Sequence, residues 1–230
     1  MTIDSDLIEE GTPLSVLTSS RLDKSGFKDN DEVRLSLIDE MWDVLNRDDH
    51  FLCLDTEFTG GHGLTNRLIE LGICESNRSG SVVGGMSFRC NPHRRSEGQA
   101  QRVHGISDVE LRGCKEFRHY SQELLEYIKG RVLIVHDATS DIVLLNDEFA
   151  RISDNPIKVQ EICTVVDSVQ LARLNPYSGK KFSIDALVDH YRLPGRCGHH
   201  CAYDDAHILC RIMSELYLDF EEIVEYGNWE

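Results

Sequence analysis

Four carboxylates stand at positions where predicted strands end or helices begin. Asp55 and Glu57 lie two residues apart near the end of FLCLDTEF, a run that predicts a strand, so both side chains point to one face of a sheet. Asp141 follows the apolar run VLIVHD, and Asp205 opens the last predicted helix. Because open α/β sheets bind their ligands at one edge, we expect these four acids to converge there.

Converging carboxylates raise one another's pKa and repel each other, which makes divalent cations their natural partners. Two ions, Mg²⁺ or Mn²⁺, held about 3.5 to 4 Å apart would clamp a phosphodiester and activate water against it. His200 precedes Asp205 by five residues. It is the candidate general base, because an imidazole titrates near neutral pH. The predicted chemistry is phosphodiester hydrolysis.

Apolar periodicity and turn residues outline the elements that must position these groups. FLCLDTEF, RLIELGICES and VVGGMSFRC predict three strands of an antiparallel meander. Helices are predicted from Asp31 to Leu45, at 107–111, at 117–128, from Asp141, at 184–191 and over the last apolar stripe, with strands at VLIVHD and ICTVVDS. The order predicts an α/β fold with one mixed sheet, in which a meander is followed by parallel strands and helices cover both faces.

Length and composition predict one domain over residues 31–220, a flexible extension over 1–30 and an acidic tail over 221–230. The apolar fraction of 40% and only 5 prolines exclude collagen-like and disordered classes. Without a membrane span or secretory signal, we expect a cytoplasmic protein whose eight cysteines are reduced thiols.

The formal charge of −16 argues against a protein that holds nucleic acid by bulk electrostatics. It does not argue against a nuclease, because bound cations present positive charge locally to a phosphate. The basic stretch nearest the predicted site contains Arg89, Arg94, Arg95 and Arg102, which either hold the phosphates of an entering strand or form a solvated loop. A second small patch contains Arg173, Lys180, Lys181, Arg192 and Arg196.

Three motifs resemble those of the DEDDh (DnaQ-like) 3′→5′ exonucleases: DTEFTG at 55–60, HDATSD at 136–141 and HCAYDDA at 200–206. The segments VHGISDVEL, VDSVQLARL and FSIDALVDHY are similar in order and spacing to the epsilon proofreading subunits of bacterial replicative DNA polymerase. The resemblance covers residues 50 to 218. It implies a ribonuclease-H-like sheet and two catalytic metals, with His200 as general base and the ligands Asp55, Glu57, Asp141 and Asp205.

The resemblance further implies that Thr56, Phe58, Thr59 and His104 contact the terminal nucleotide. Phe58 either stacks on the terminal base or belongs to the core. The implied substrate is a single-stranded 3′ end, of DNA in preference to RNA, and the implied partner is a separate polymerase chain. An RNA-trimming enzyme similar to ribonuclease T or oligoribonuclease is the first alternative, and a non-catalytic binding module is the second.

The sequence departs from the family pattern at several positions. Asp137 stands where the family usually has Asn, and it either adds charge near the metals or points into a turn. His199 and Asp204 flank the proposed base and ligand, but Ala202 and Ala206 fit the small positions of H-x-A-x-x-D-A only if His200 and Asp205 are chosen. The cluster CGHHC at 197–201 suggests zinc by composition, although its spacing suits a loop with incidental thiols better.

Overall fold

The computed structural model describes residues 31–61, 65–175 and 181–226. The predicted extension over 1–30 and residues 227–230 of the predicted tail lie outside these ranges. The five strands of the described sheet are β1 His50–Phe58, β2 Leu68–Asn77, β3 Val82–Arg89, β4 Val132–Val135 and β5 Thr164–Asp167. The helices are α1 Asp31–Leu45, α2 Gly98–His104, α3 Asp108–Arg112, α4 Ser121–Ile128, α5 Ala138–Ile152, α6 Ser168–Leu174, α7 Ile184–Tyr191 and α8 Ala202–Tyr226.

The strands form one mixed sheet in the order β3-β2-β1-β4-β5. β1 pairs antiparallel with β2, and β2 pairs antiparallel with β3, as expected for a meander. β4 is parallel to β1, and β5 is parallel to β4. The predicted α/β class and mixed sheet are confirmed, and β1, which carries the DTE motif, lies in the centre of the sheet.

Helices cover both faces of the sheet, and each face has its own apolar core. One core joins α1, α6, α7 and α8 to side chains such as Phe51 and Cys53 of β1. The other joins α4 and α5 to alternate β1 residues such as Leu52 and Leu54. Every residue of β4 and β5 is buried, as expected for parallel strands with helices on both sides.

Two short helices, α2 and α6, are missing from the elements predicted from the sequence. The α2 sequence GQAQRVH is mostly polar and shows no apolar stripe, so periodicity could not identify it. Its C-cap is Gly105 with φ of 69°, a left-handed conformation that suits glycine. α8 continues beyond residue 220 and buries Ile223, so the predicted tail begins within this helix. None of the helices in the described ranges is long and apolar enough to cross a bilayer.

Candidate active site

The carboxyl ends of β1 and β4 bring the first three acids to one edge of the sheet. Because the two strands are parallel neighbours, their ends meet, and α5 begins just after β4 with Asp141 in its first turn. Glu57 and Asp141 are buried, with 6% and 5% of their surface exposed, and Asp55 is half-buried. The Thr56 hydroxyl donates a hydrogen bond to the Asp141 carboxylate, which joins the strand end to the helix start.

The fourth acid arrives on α8, whose first turn packs directly on β2. Gly72 of β2 pairs with Asp55, and a Cβ placed on Gly72 would lie 2.3 Å from the Tyr203 backbone nitrogen. Glu70, two residues earlier on the same face of β2, accepts a 2.9 Å hydrogen bond from the Ala202 backbone N–H. The absence of a side chain at Gly72 and the hydrogen bond to Glu70 therefore hold the start of α8 against the sheet, close to β1.

This packing brings Glu57, His200 and Asp205 together. One ligand atom from each lies within 4.8 Å of the other two, and the described residues contain no other such group of three or more. His200 Nδ1 is 3.2 Å from Asp205 Oδ2. Asp205 is almost completely buried, whereas the His200 side chain keeps 40% of its surface exposed. The imidazole thus lies at the mouth of the acidic cluster, where solvent reaches it.

The buried acids hold their protons more tightly than carboxylates in water. Burial is the main reason that the pKa of Glu57 rises to about 8, followed by repulsion from neighbouring carboxylates, first Asp205. Burial likewise raises the pKa of Asp141 to about 7. For Asp55, burial and then repulsion from Asp141 raise the pKa well above its ordinary value. Acids in this condition gain most from a nearby cation, because a positive charge favours their ionised form.

A guanidinium supplies part of that positive charge. Arg196 Nε lies 2.5 Å from Asp205 Oδ1, and the same side chain is hydrogen-bonded to Asp185. Its charge lowers the pKa of Asp55 and of Glu57, opposing the effects of burial. The sequence suggests that Arg196 belongs to a second basic patch that binds phosphate, but in the structure its guanidinium is paired with Asp205 and Asp185. Lys180 of that patch lies outside the described residues.

The positions around the proposed base and ligand differ clearly in environment. His199 lies against Gly105, where an added Cβ would come within 2.7 Å of its ring, and it is exposed. Asp204 is also exposed, whereas Asp205 is buried. The geometry therefore places His200 and Asp205, and not their neighbours, against Glu57.

Asp137 lies in the turn before α5, and its charge also acts on Asp141. It adopts a left-handed conformation with φ of 66°, is exposed, and accepts a 2.5 Å hydrogen bond from the Thr139 hydroxyl. Its backbone N–H and that of Ala138 both donate to the buried Asp167 carboxylate, which fixes the turn before α5. Its charge nevertheless contributes to raising the pKa of Asp141.

A cleft of about 290 Å³ adjoins the acids between the end of β1 and α2. Glu57, Phe58, Gly61, Glu97 and His104 are among the residues that line it, and we call it the α2 cleft. His104 Nδ1 accepts a 3.0 Å hydrogen bond from the Ile106 N–H, so Nε2 carries the proton. This buried Nε2 has no hydrogen-bond partner within the described residues.

The predicted nucleotide contacts thus divide into two pairs. Phe58 and His104 line the α2 cleft, and Phe58 also packs against the core. The hydroxyls of Thr56 and Thr59 are bound within the protein, Thr59 to the Arg67 N–H at 3.2 Å and to the Gly60 carbonyl at 3.2 Å. These two hydroxyls hold Asp141 and the chain after β1 in place.

The CGHHC segment does not form a ligand group of its own. Among residues 31–61, 65–175 and 181–226, three or more ligand atoms come together only at Glu57, His200 and Asp205. Cys210 is buried on the sheet side of α8 and donates to the Cys74 carbonyl. His200 therefore belongs to the group with Glu57 and Asp205, and no cysteine of the described residues is part of that group.

Comparisons with known proteins show the family of the chain and agree with the fold. The exonuclease family model matches residues 52–213. The chain is 32% identical over 188 residues to the DNA polymerase III subunit epsilon of Haemophilus influenzae, covering 76% of this chain and 73% of that protein. It is 32% identical over 171 residues to the corresponding subunit of Rickettsia conorii, covering 72% of each.

Two solved structures share the fold at lower identity. The nuclease domain of 3′hExo, a DEDDh family member bound to rAMP, aligns with a TM-score of 0.64 and 11% identity over 76% of this chain and 94% of that one. Exonuclease X in complex with 5′ overhanging duplex DNA aligns with a TM-score of 0.57 and 20% identity over 77% of this chain and 93% of that one.

Proposed function

Because the chain belongs to the DEDDh exonuclease family, we propose that it removes nucleotides one at a time from single-stranded DNA 3′ ends. Enzymes of this family depend on divalent metal. The observation that carries the proposal is the meeting of Glu57, His200 and Asp205 within 4.8 Å at the edge where Asp55 and Asp141 also lie. Family membership weighs against a non-catalytic binding module.

The residues of this chain fit a pair of divalent ions. Burial raises the pKa of Asp55, Glu57 and Asp141, and the charge of Asp205 adds to the rise at Asp55 and Glu57. Together the four carboxylates offer oxygen ligands of the kind that Mg²⁺ and Mn²⁺ prefer. We assign both ions to these ligands, Asp55, Glu57, Asp141 and Asp205. When bound, the ions would lower the pKa of the attacking water and neutralise the charge that develops on the leaving oxygen.

The protein itself would position the strand end and move the proton. His200, half-exposed at the mouth of the cluster, would accept the proton of the attacking water. Phe58 and the His104 Nε2–H in the α2 cleft would hold the terminal nucleotide by stacking and by a hydrogen bond. Thr56 would keep Asp141 in position through its hydroxyl.

The test uses a 5′-labelled single-stranded oligonucleotide and product analysis on a sequencing gel. We expect wild-type protein with Mn²⁺ or Mg²⁺ to give a ladder that shortens from the 3′ end. Asp55→Asn and Asp205→Asn should abolish it while the fold is retained. His200→Ala should lower kcat while Mn²⁺ binding stays measurable by calorimetry. Normal ladders from both Asn variants would reject the ligand assignment.

Matched DNA and RNA oligonucleotides of equal length decide the substrate class. We expect kcat/KM to be higher on DNA with both metals. A higher value on RNA would identify the enzyme as an exoribonuclease. Shortening from the 5′ end, read on 3′-labelled substrate, would contradict the proposed polarity.

We also infer that a separate polymerase chain is a partner, because the relatives are named as subunits of DNA polymerase III. Sedimentation of the protein mixed with the replicative polymerase chain of its own organism would test this. A single faster-sedimenting species is expected, and two independent boundaries at micromolar concentrations would contradict it.

A further inference from the structure

A second concave surface lies between the loop that follows β3 and α3. It encloses about 470 Å³ between residues 91–95 and α3, and it is lined by residues 91–95, 108, 109, 111 and 112. We call it the arginine cleft, because Arg94, Arg95 and Arg112 all line it. Nothing in the chemistry of the active site requires these side chains.

The charge of the arginine cleft is opposite to that of the whole protein. The chain has a formal charge of −16, but the cleft collects three guanidiniums against one carboxylate, Asp108, which already accepts a 3.0 Å hydrogen bond from the Ser96 N–H. Arg95 and Arg112 are exposed, and neither forms an ion pair with any residue in the described ranges. Two guanidiniums without an ion-pair partner in the described ranges, one on the loop and one on α3, favour a ligand with repeated negative charges.

The arginine cleft also has an apolar wall. Val109 exposes 69% of its surface there, beside the buried Leu111 and Pro92. An exposed valine next to arginines suits a ligand that combines phosphates with sugar or base surface, and a polynucleotide has this composition.

Arg94 joins the arginine cleft to the α2 cleft. Its guanidinium lies 3.7 Å from Glu97 Oε1 and is hydrogen-bonded to the Thr65 carbonyl. A Cβ added to Gly61 would lie 3.2 Å from Arg94 Nη1. Since Gly61 and Glu97 line the α2 cleft, the two concave surfaces meet at this side chain.

We propose that the arginine cleft binds phosphates of the substrate strand on the 5′ side of the terminal nucleotide held in the α2 cleft. This proposal rests on the proposed function and extends it to the internal part of a single strand. Arg89, which the sequence also suggested for this role, is instead bound to the buried Glu70 at 2.7 Å. Arg112, which the sequence did not suggest, takes its place.

The test compares Arg95→Ala/Arg112→Ala with the wild type. Binding of a 5′-fluorescein 12-mer of deoxythymidylate is measured by anisotropy in EDTA over a range of salt. Loss of two phosphate contacts should weaken binding about tenfold and reduce the slope of log K against log salt by about 1.4. In the presence of Mn²⁺, the ratio of kcat/KM on the 12-mer to that on a dinucleotide should fall by a similar factor.

The matched control is Lys129→Ala/Lys158→Ala, which removes two exposed charges on the segments that lead into β4 and β5, the two strands farthest from β3 in the sheet. This variant should bind the 12-mer as the wild type does. The proposal is overturned if the arginine variant keeps wild-type affinity and salt slope, if the lysine control loses as much, or if the wild type binds no 12-mer. Absence of nucleotide release by a wild type that binds the 12-mer through the arginines would reject the proposed function alone.

Discussion

Gly72→Ala should separate folding from catalysis, because it adds one methyl group where α8 touches the sheet. The new Cβ would lie 2.3 Å from the Tyr203 nitrogen and 2.4 Å from the Ala202 carbonyl carbon, while ordinary contact begins near 3.4 Å. Both obstacles are backbone atoms and have no rotamer to change. The first turn of α8 must therefore retreat by roughly 1 Å.

This retreat would carry His200 and Asp205 away from Glu57. A displacement of about 1 Å in a catalytic constellation costs on the order of 100-fold in rate, so we expect kcat/KM to fall by about that factor. Overpacking of this kind destabilises by about 1 to 3 kcal/mol, which lowers Tm by roughly 2 to 12 °C in a protein of this size. The variant should remain folded at 25 °C.

The assay measures kcat/KM on a labelled oligonucleotide below Tm, with Mn²⁺ binding by calorimetry and Tm by circular dichroism. The control is Gly84→Ala in β3, where the nearest atom to an added Cβ is Glu75 Oε2 at 3.1 Å, the end of a flexible side chain. This control should keep near-wild-type activity. Full activity and Tm in Gly72→Ala, or an equal loss in both variants, would refute the packing argument.

Three further predictions concern the electrostatics of the site. The pKa of Glu57 is raised from 4.5 to about 8, so the folded state loses stability as this carboxyl ionises between these pH values, by up to roughly 4 kcal/mol. Glu57→Gln should therefore flatten the fall in Tm between pH 5 and 8, measured in EDTA. An unchanged fall in Tm would contradict this. Arg196→Gln removes the cation bound to Asp205, so Mn²⁺ should bind several-fold more tightly by calorimetry, whereas weaker binding would show that the guanidinium supports the metal site. Thr56→Val removes a hydrogen bond that lowers the pKa of Asp141, so the acid limb of the pH profile of kcat/KM should move to higher pH. An acid limb at the wild-type pH would show that this hydroxyl does not affect catalysis.

Local patterns in the sequence were sufficient for the strands, most helices and the mixed sheet. Alternation places Asp55 and Glu57 on one face of β1, and the run VLIV predicts a strand buried on both faces. The motifs carry the family resemblance because they contain the groups that perform the chemistry, each within a few consecutive residues. No such pattern marks α2, whose polar sequence forms a wall of the α2 cleft.

Only the tertiary structure decided which side chains meet. The contact between Glu70 and Ala202 joins residues 132 positions apart, and no sequence pattern pairs them. The sequence does not distinguish Gly72 from the other 16 of its 17 glycines, and only the structure shows that the start of α8 packs on it. Arg196 pairs with Asp205 instead of remaining in a basic patch. The physical reason is that backbone periodicity sets the direction of a side chain, whereas the distance between two side chains depends on how helices pack on the sheet.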